Sequence, residues 1–221
     1  MASRGEELPL GRMVPPVPAG AGIPPEPPDV GARALSVAAR LLAGATTFFF
    51  LAFIFAYFYL RSINQEHLWR HGHIDPNQAL GAAMIACVVV SAALAIIAGR
   101  QMKAGSRSWL TPSIAAVVLG LAAVALQCIE YTRQHFGPTD GAFASVFCAW
   151  TALYLIAVLA TMYWLETQVA SEVRARRTPA SSEGDISQAD LLIAPGLDAT
   201  VFYWTFLAVI GVVTYVVLYL L

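Results

Sequence analysis

The sequence is short of charge: Asp, Glu, Lys and Arg together make up 12% of its 221 residues, against about 25% in an ordinary soluble domain. Its net charge of −1 comes with no long block of one sign, so nothing favours a nucleic-acid partner. Cysteine is scarce. Cys87, Cys128 and Cys148 all fall in apolar runs without CxxC spacing, and they are expected to be small buried side chains rather than disulfide partners or metal ligands. Histidine is missing from every apolar run; His67, His71, His73 and His135 all sit in polar connections. A membrane haem held by two histidines, or a histidine-ligated copper in the bilayer, needs imidazoles within the spans. The chain is therefore expected to carry no haem, no copper and no other metal of its own. Lys, Asp and His are also absent from mid-span positions, which leaves an intramembrane enzyme without a base or ligand and weighs against a secondary transporter.

What is present is apolar: 58% of the residues are hydrophobic, gathered into runs near the roughly 20 residues that cross about 30 Å of hydrocarbon. Five spans are expected, at about 34–60, 79–98, 109–131, 141–165 and 200–221, giving an all-α integral membrane protein with a five-transmembrane-helix bundle. Residues 1–32 contain PPVPAGAGIPPEPP and no apolar run. They predict a disordered or extended proline-rich tail and no signal peptide, so the first span would direct insertion itself. A charged linker, 166–198, separates the last two spans. Its opening ETQVASEVRARR suits a helix, and Pro179, Ser181, Ser182 and Gly184 follow. The second span is rich in small residues, including Gly81, Ala83 and Ala86, which let helix backbones approach closely in lipid. This predicts a packing face there and a central place for that helix. Pro112 falls in the first turn of the third span, where its missing N–H is harmless.

The polar loop 61–77 holds three of the histidines. Spacings of two and four residues allow imidazoles to converge on a metal, but no cysteine or firmly placed carboxylate completes a set, and a solvated loop is the expectation. Between spans three and four, Leu126 to Glu166 forms a hairpin. Glu130 and Tyr131 close one helix, Gly137 and Pro138 break the chain, and Thr139 and Asp140 stand where the next helix would be capped. Glu130, near the outer end of its span, is the one serious candidate for a functional ionisable residue within a span, where burial is costly. Arg133, three residues on, shares its face if the helix continues, so an interfacial ion pair is expected ahead of a proton-handling role. The hydroxyls Thr46, Thr47, Ser91, Thr151, Tyr154, Thr161 and Thr205 are the material from which a transport path would be built, yet span hydroxyls more often bond to their own helix.

Lys and Arg fix the expected orientation. Ten of them (Arg4, Arg12, Arg33, Arg40, Arg100, Lys103, Arg107, Arg174, Arg176 and Arg177) fall on the amino-terminal side, and three (Arg61, Arg70 and Arg133) on the other. The amino terminus is expected in the cytoplasm and, after five spans, the carboxy terminus outside. Trp69, Trp109, Tyr131, Trp164 and Trp204 stand near expected span ends, as interfacial aromatics do.

LQCIEYTRQHFGPTDGAFASVF, followed by a long span and MYWLET, resembles the central part of cytochrome c oxidase subunit III in its short five-helix bacterial form. FFFLAFIFAYFYLR resembles that family's aromatic helix, and FYWTF with the closing VVLYLL resembles its last span more loosely. The chain departs from the family in buried polar residues. Thr46 stands where the family has a glutamate. Ala152, Leu153, Tyr154 and Ala157 replace its Gly-Phe-His and following His, and Trp204 is followed by Thr205, Phe206 and Ala208 in place of His-Phe and an Asp. The resemblance implies an accessory, non-redox subunit of a haem-copper oxidase in a bacterial plasma membrane. Such a subunit packs against catalytic subunit I and other oxidase subunits, where haem and copper reside, binds phospholipid, and supports proton uptake. It also implies structural roles for Glu130, Tyr131 and Ser145. An accessory subunit of a nitric oxide reductase or quinol oxidase is the nearest alternative, and a small transporter or channel the alternative of another class.

Overall fold

A computed structural model of the chain describes residues 28–64, 69–70, 74–177 and 188–221. The tail before Pro28, the histidines His67, His71 and His73, and the linker stretch with Pro179, Ser181, Ser182 and Gly184 lie outside the described residues. Five helices follow one another: α1 (Pro28–Ile63), α2 (Gln78–Lys103), α3 (Leu110–Arg133), α4 (Ala142–Arg177) and α5 (Gln188–Tyr215). A 3₁₀ turn, Arg107–Trp109, precedes α3, and a π turn, Val216–Leu220, ends the chain's last helix. All five helices are long and apolar enough to cross a membrane, so the chain is a multi-pass membrane protein, with no strand among the described residues.

Helix continues beyond the expected spans. α1 starts at Pro28, inside the stretch expected to be extended, because proline's fixed φ and missing N–H suit a first helical position. With 36 residues it is about 54 Å long, well beyond the hydrocarbon. α4 likewise runs 36 residues, to Arg177. Its end is held by Arg176, which donates to Glu172 at 2.8 Å and to the carbonyl of Arg107 at 2.9 Å. α5 begins at Gln188 and contains Pro195, so most of the expected linker is helix.

The helices close a ring in the order α1, α5, α2, α3, α4, and α4 also packs on α5 across it. The centre is therefore held by α4 and α5, not by α2 as its small residues predicted. Trp150 and Tyr154 of α4, Trp204 of α5 and Tyr219 of the π turn are almost completely buried there. Close approach depends on glycine at three crossings. A Cβ on Gly81 would meet the Tyr219 ring at 2.5 Å, one on Gly120 would collide with Met162, and one on Gly211 would collide with the Tyr154 hydroxyl.

The buried stripe of α2 runs Gly81, Met84, Val88, Ala92, Ala95 and Ala98, a helical period. Ala83 and Ala86 fall on the exposed side. Small size alone did not place them, since each residue turns the helix by about 100° and the bulkier Met84, Ile85 and Val88 claim the inward face. Cys128 is also exposed, contrary to expectation, while Cys87 and Cys148 are half-buried; all three are free thiols.

Candidate functional site

The polar residues of the hairpin build a clamp that joins α3, α4 and the carboxy-terminal turn. Asp140 does not cap α4. Its Oδ2 accepts the Gly137 N–H at 2.6 Å while its own N–H donates to the Gly137 carbonyl at 3.1 Å. The carboxylate thus closes the turn, because the chain bends at Gly137 and Pro138 before the helix begins. Gly141 has φ +133°, a conformation that side-chain-bearing residues rarely take. The Ser145 hydroxyl lies 2.6 Å from the Pro138 carbonyl and 2.9 Å from that of Gly141. Its single proton serves one of them at a time, tying the first turn of α4 to the bend.

Glu130 lies one turn inside the end of α3 and is 3% exposed. Its Oε2 accepts the Tyr219 hydroxyl at 2.6 Å and the Gln127 amide at 3.0 Å. The expected ion pair with Arg133 is not formed. Glu130 lies on the buried stripe of Ala116, Gly120, Ala123 and Gln127, whereas Arg133 ends the helix and is exposed. Drawing the guanidinium inward would cost solvation that a neutral donor such as Tyr219 does not have to give up. Glu130 Oε1 and Gln134 Oε1 are buried without a well-formed hydrogen bond among the described residues, although the Asn77 backbone N–H also faces the Glu130 carboxylate. Both residues line a crevice of about 230 Å³ with Asp75, Asn77, Arg133 and His135, which is polar and roomy enough for water to serve them.

Tyr131 clamps the neighbouring helix. Its hydroxyl donates to Thr151 Oγ1 at 2.7 Å, and Thr151 donates in turn to the Phe147 carbonyl at 2.6 Å. The last carbonyls of the chain, which a helix end leaves unpaired, are met by side chains from the start of α2 and the loop before it. Arg70 donates to the Leu218 carbonyl at 3.0 Å and Gln78 to that of Tyr219 at 3.2 Å. The Arg70 guanidinium also lies 4.4 Å over the Phe143 ring. Asn77 caps α2 by accepting the N–H groups of Ala79 and Leu80, both at 3.1 Å.

Deeper in the bundle, polar side chains are spent on helix–helix bonds. Trp204 donates to Ser91 at 3.1 Å, and Ser91 donates to the Ala116 carbonyl at 2.6 Å, joining α5, α2 and α3. Trp150 donates to Thr214 at 2.9 Å, and Tyr154 to the Leu207 carbonyl at 3.1 Å. The Thr46 and Tyr203 hydroxyls are 2.9 Å apart across α1 and α5. Thr47, Thr161 and Thr205 bond back to carbonyls of their own helices. None of the seven hydroxyls weighed as a transport path is left unbonded.

On the outside of α1 and α4 lies an apolar cleft of about 310 Å³, lined by Thr46, Phe49, Phe53, Ile156, Ala157 and Trp164 among others. Leu41, Phe48 and Phe55, spaced seven apart, form a separate apolar stripe on another side of α1, with exposures of 69–77%.

The sequence pointed to Glu130, Tyr131, Asp140 and Ser145 but not to Gln127 and Tyr219, and it offered Thr151 only as a path hydroxyl; these three complete the clamp. Gln127 carried a signal, being an amide three residues before Glu130 in an apolar run. Tyr219 carried none, since its partner lies 89 residues away. No group of three or more His, Cys, Asp or Glu able to hold a metal occurs among the described residues. No family model matches the chain, and no curated protein matches it.

Proposed function

We propose that this chain is an accessory, non-redox subunit of a respiratory haem-copper terminal oxidase, similar to cytochrome c oxidase subunit III, in a bacterial plasma membrane. In this reading the amino terminus is cytoplasmic and the carboxy terminus outside. The chain stabilises the catalytic subunit, binds phospholipid, and supports aerobic electron transport and proton uptake without holding haem or copper itself.

One observation supports it most: Glu130, Tyr131 and Ser145 of the family-like stretch each spend a polar atom on tying helices or turns together. Glu130 engages Tyr219, Tyr131 engages Thr151, and Ser145 engages the turn. A scaffold has this use for polar groups. The cleft beside α1 offers an apolar trough of about 310 Å³ for an acyl chain, and the exposed aromatic face of α1 suits a partner helix.

The test is gentle solubilisation of the tagged chain from its native membrane, with visible spectra and subunit masses of what accompanies it. Haem spectra and a co-purifying catalytic subunit are expected. A stable monomer with no haem protein would end the proposal. The masses also distinguish an oxidase from a nitric oxide reductase or quinol oxidase, in which the same scaffold would serve a different partner.

A further inference from the structure

Glu130 is a buried carboxylate at the wrong pole of its helix. A helix carboxy terminus carries negative partial charge and favours cations, yet Glu130, 3% exposed, lies in the last turn of α3 and forms no ion pair with Arg133. The partners the structure gives it are neutral. The Tyr219 hydroxyl and the Gln127 amide donate to Oε2, and the Asn77 backbone N–H, at the start of α2, faces the carboxylate. Oε1 has no well-formed hydrogen bond among the described residues.

The crevice of about 230 Å³ that Glu130 lines collects further acceptors. Gln134, four residues on, spends its Nε2 on the Phe136 carbonyl at 2.8 Å. That bond fixes which end of the amide is oxygen, and this oxygen too is buried and unpaired. Asp75, from the loop before α2, adds an exposed carboxylate to the lining. Against these acceptors the lining residues bring one guanidinium, the exposed Arg133, and the imidazole of His135. A water molecule would give both orphan oxygens a donor but would leave the buried charge without a counterion. Oxygen acceptors without a thiolate select a hard cation. Two carboxylates and an amide carbonyl, completed by water, suit calcium, which takes about six to eight oxygens in flexible geometry, better than magnesium with its strict octahedron. A transition metal would need His, Cys, Asp or Glu converging as a set of three or more, and none occurs among the described residues.

We propose that this crevice is a calcium site, with Glu130 Oε1, Gln134 Oε1 and the Asp75 carboxylate as ligands and water filling the remaining positions. The ion ties the loop before α2 to the end of α3, beside the clamp that Tyr219 closes. The site uses oxygen donors only, so it stands apart from the histidine argument against haem and copper. It does not depend on which complex the chain serves.

The full chain, purified in an uncharged detergent and stripped with a chelator, is titrated with calcium chloride by calorimetry. A background of about 0.1 M potassium chloride confines charge effects to about 10 Å. Saturable binding is expected, with a dissociation constant of about 0.1–1 mM, the range of weak extracellular calcium modules. Asp75→Asn changes a side chain that takes no part in the clamp, and should weaken binding about ten-fold, the scale of one unit charge acting on a divalent ion at about 5 Å in water. Arg133→Gln removes the competing cation, so affinity should hold or rise. Glu130→Gln should abolish binding, but it also loosens the clamp, so the two exposed positions decide. No saturable binding below about 10 mM would overturn the site and leave the crevice to water. An affinity unchanged by Asp75→Asn, or a fall with Arg133→Gln, would overturn it as well. So would an equal fall with Glu166→Gln, about 36 Å along α4 from this end, which would show diffuse surface charge.

Discussion

Replacing Tyr219 with Phe removes one atom and, with it, the 2.6 Å hydrogen bond to the buried Glu130 carboxylate. A hydrogen bond to a charged group contributes about 1.5–3 kcal/mol in soluble proteins. Bonds between membrane helices average only about 0.6 kcal/mol, with a maximum near 1.7, because the unfolded chain in lipid finds other partners. Two features push this bond towards the upper membrane value. The acceptor is a carboxylate whose other oxygen lacks a well-formed hydrogen bond among the described residues, and the Tyr219 ring is fixed between Gly81 and Phe147. A loss of about 1.5 kcal/mol is therefore expected, read as the shift of the unfolding midpoint in mixed detergent micelles. Tyr215→Phe is the control, because Tyr215 stacks on Tyr219 at 5.2 Å without holding Glu130, and it should stay within about 0.5 kcal/mol of the parent. Combining Tyr219→Phe with Glu130→Gln should cost less than the sum of the two, with a coupling of about 1 kcal/mol. A Tyr219→Phe protein as stable as the Tyr215→Phe protein, or strict additivity with Glu130→Gln, would refute the clamp.

Gly81→Ala should destabilise the chain by about 1–3 kcal/mol, because the new methyl meets the rigid Tyr219 ring. Gly120→Ala should cost less than half as much, since the flexible Met162 thioether can turn aside; chemical unfolding of the two variants checks the order. Ala86→Leu should leave the unfolding midpoint of the isolated chain within about 0.5 kcal/mol but lower the yield of assembled complex, and an unchanged yield would show that this face meets only lipid. Ser91→Ala removes both the bond to Ala116 and the one from Trp204, and should cost about twice the roughly 0.6 kcal/mol average for a membrane helix bond, read by chemical unfolding. In the proposed oxidase complex, Glu130→Gln should weaken assembly while leaving the haem spectrum per complex unchanged.

The places where expectation and structure part share one cause. Arg133 was expected to pair with Glu130 on helical spacing alone. The pairing failed because α3 ends at Arg133 while the buried stripe of α3 carries Glu130 inward to Tyr219. Ala83 and Ala86 looked like packing residues from size, yet the face they occupy was decided by where α3 and α5 lie against α2. Asp140 looked like a helix cap, but the bend at Gly137 offered its carboxylate a nearer N–H. In each case sequence spacing named a neighbour and a partner distant in the chain displaced it.

Five helices long and apolar enough to cross a membrane were legible in the sequence, because apolar run length set against bilayer thickness is a local quantity. The sequence also determined that no span carries a histidine, and it singled out Glu130 as an ionisable group costly enough to require a partner. Which partner that is depends on the packed bundle. The identity of Tyr219, the seating of Gly81 beneath it and the central place of α4 and α5 depend on how helices far apart in sequence rotate against one another. That rotation minimises unpaired polar groups and empty space across the whole bundle at once, and no single stretch of chain encodes it.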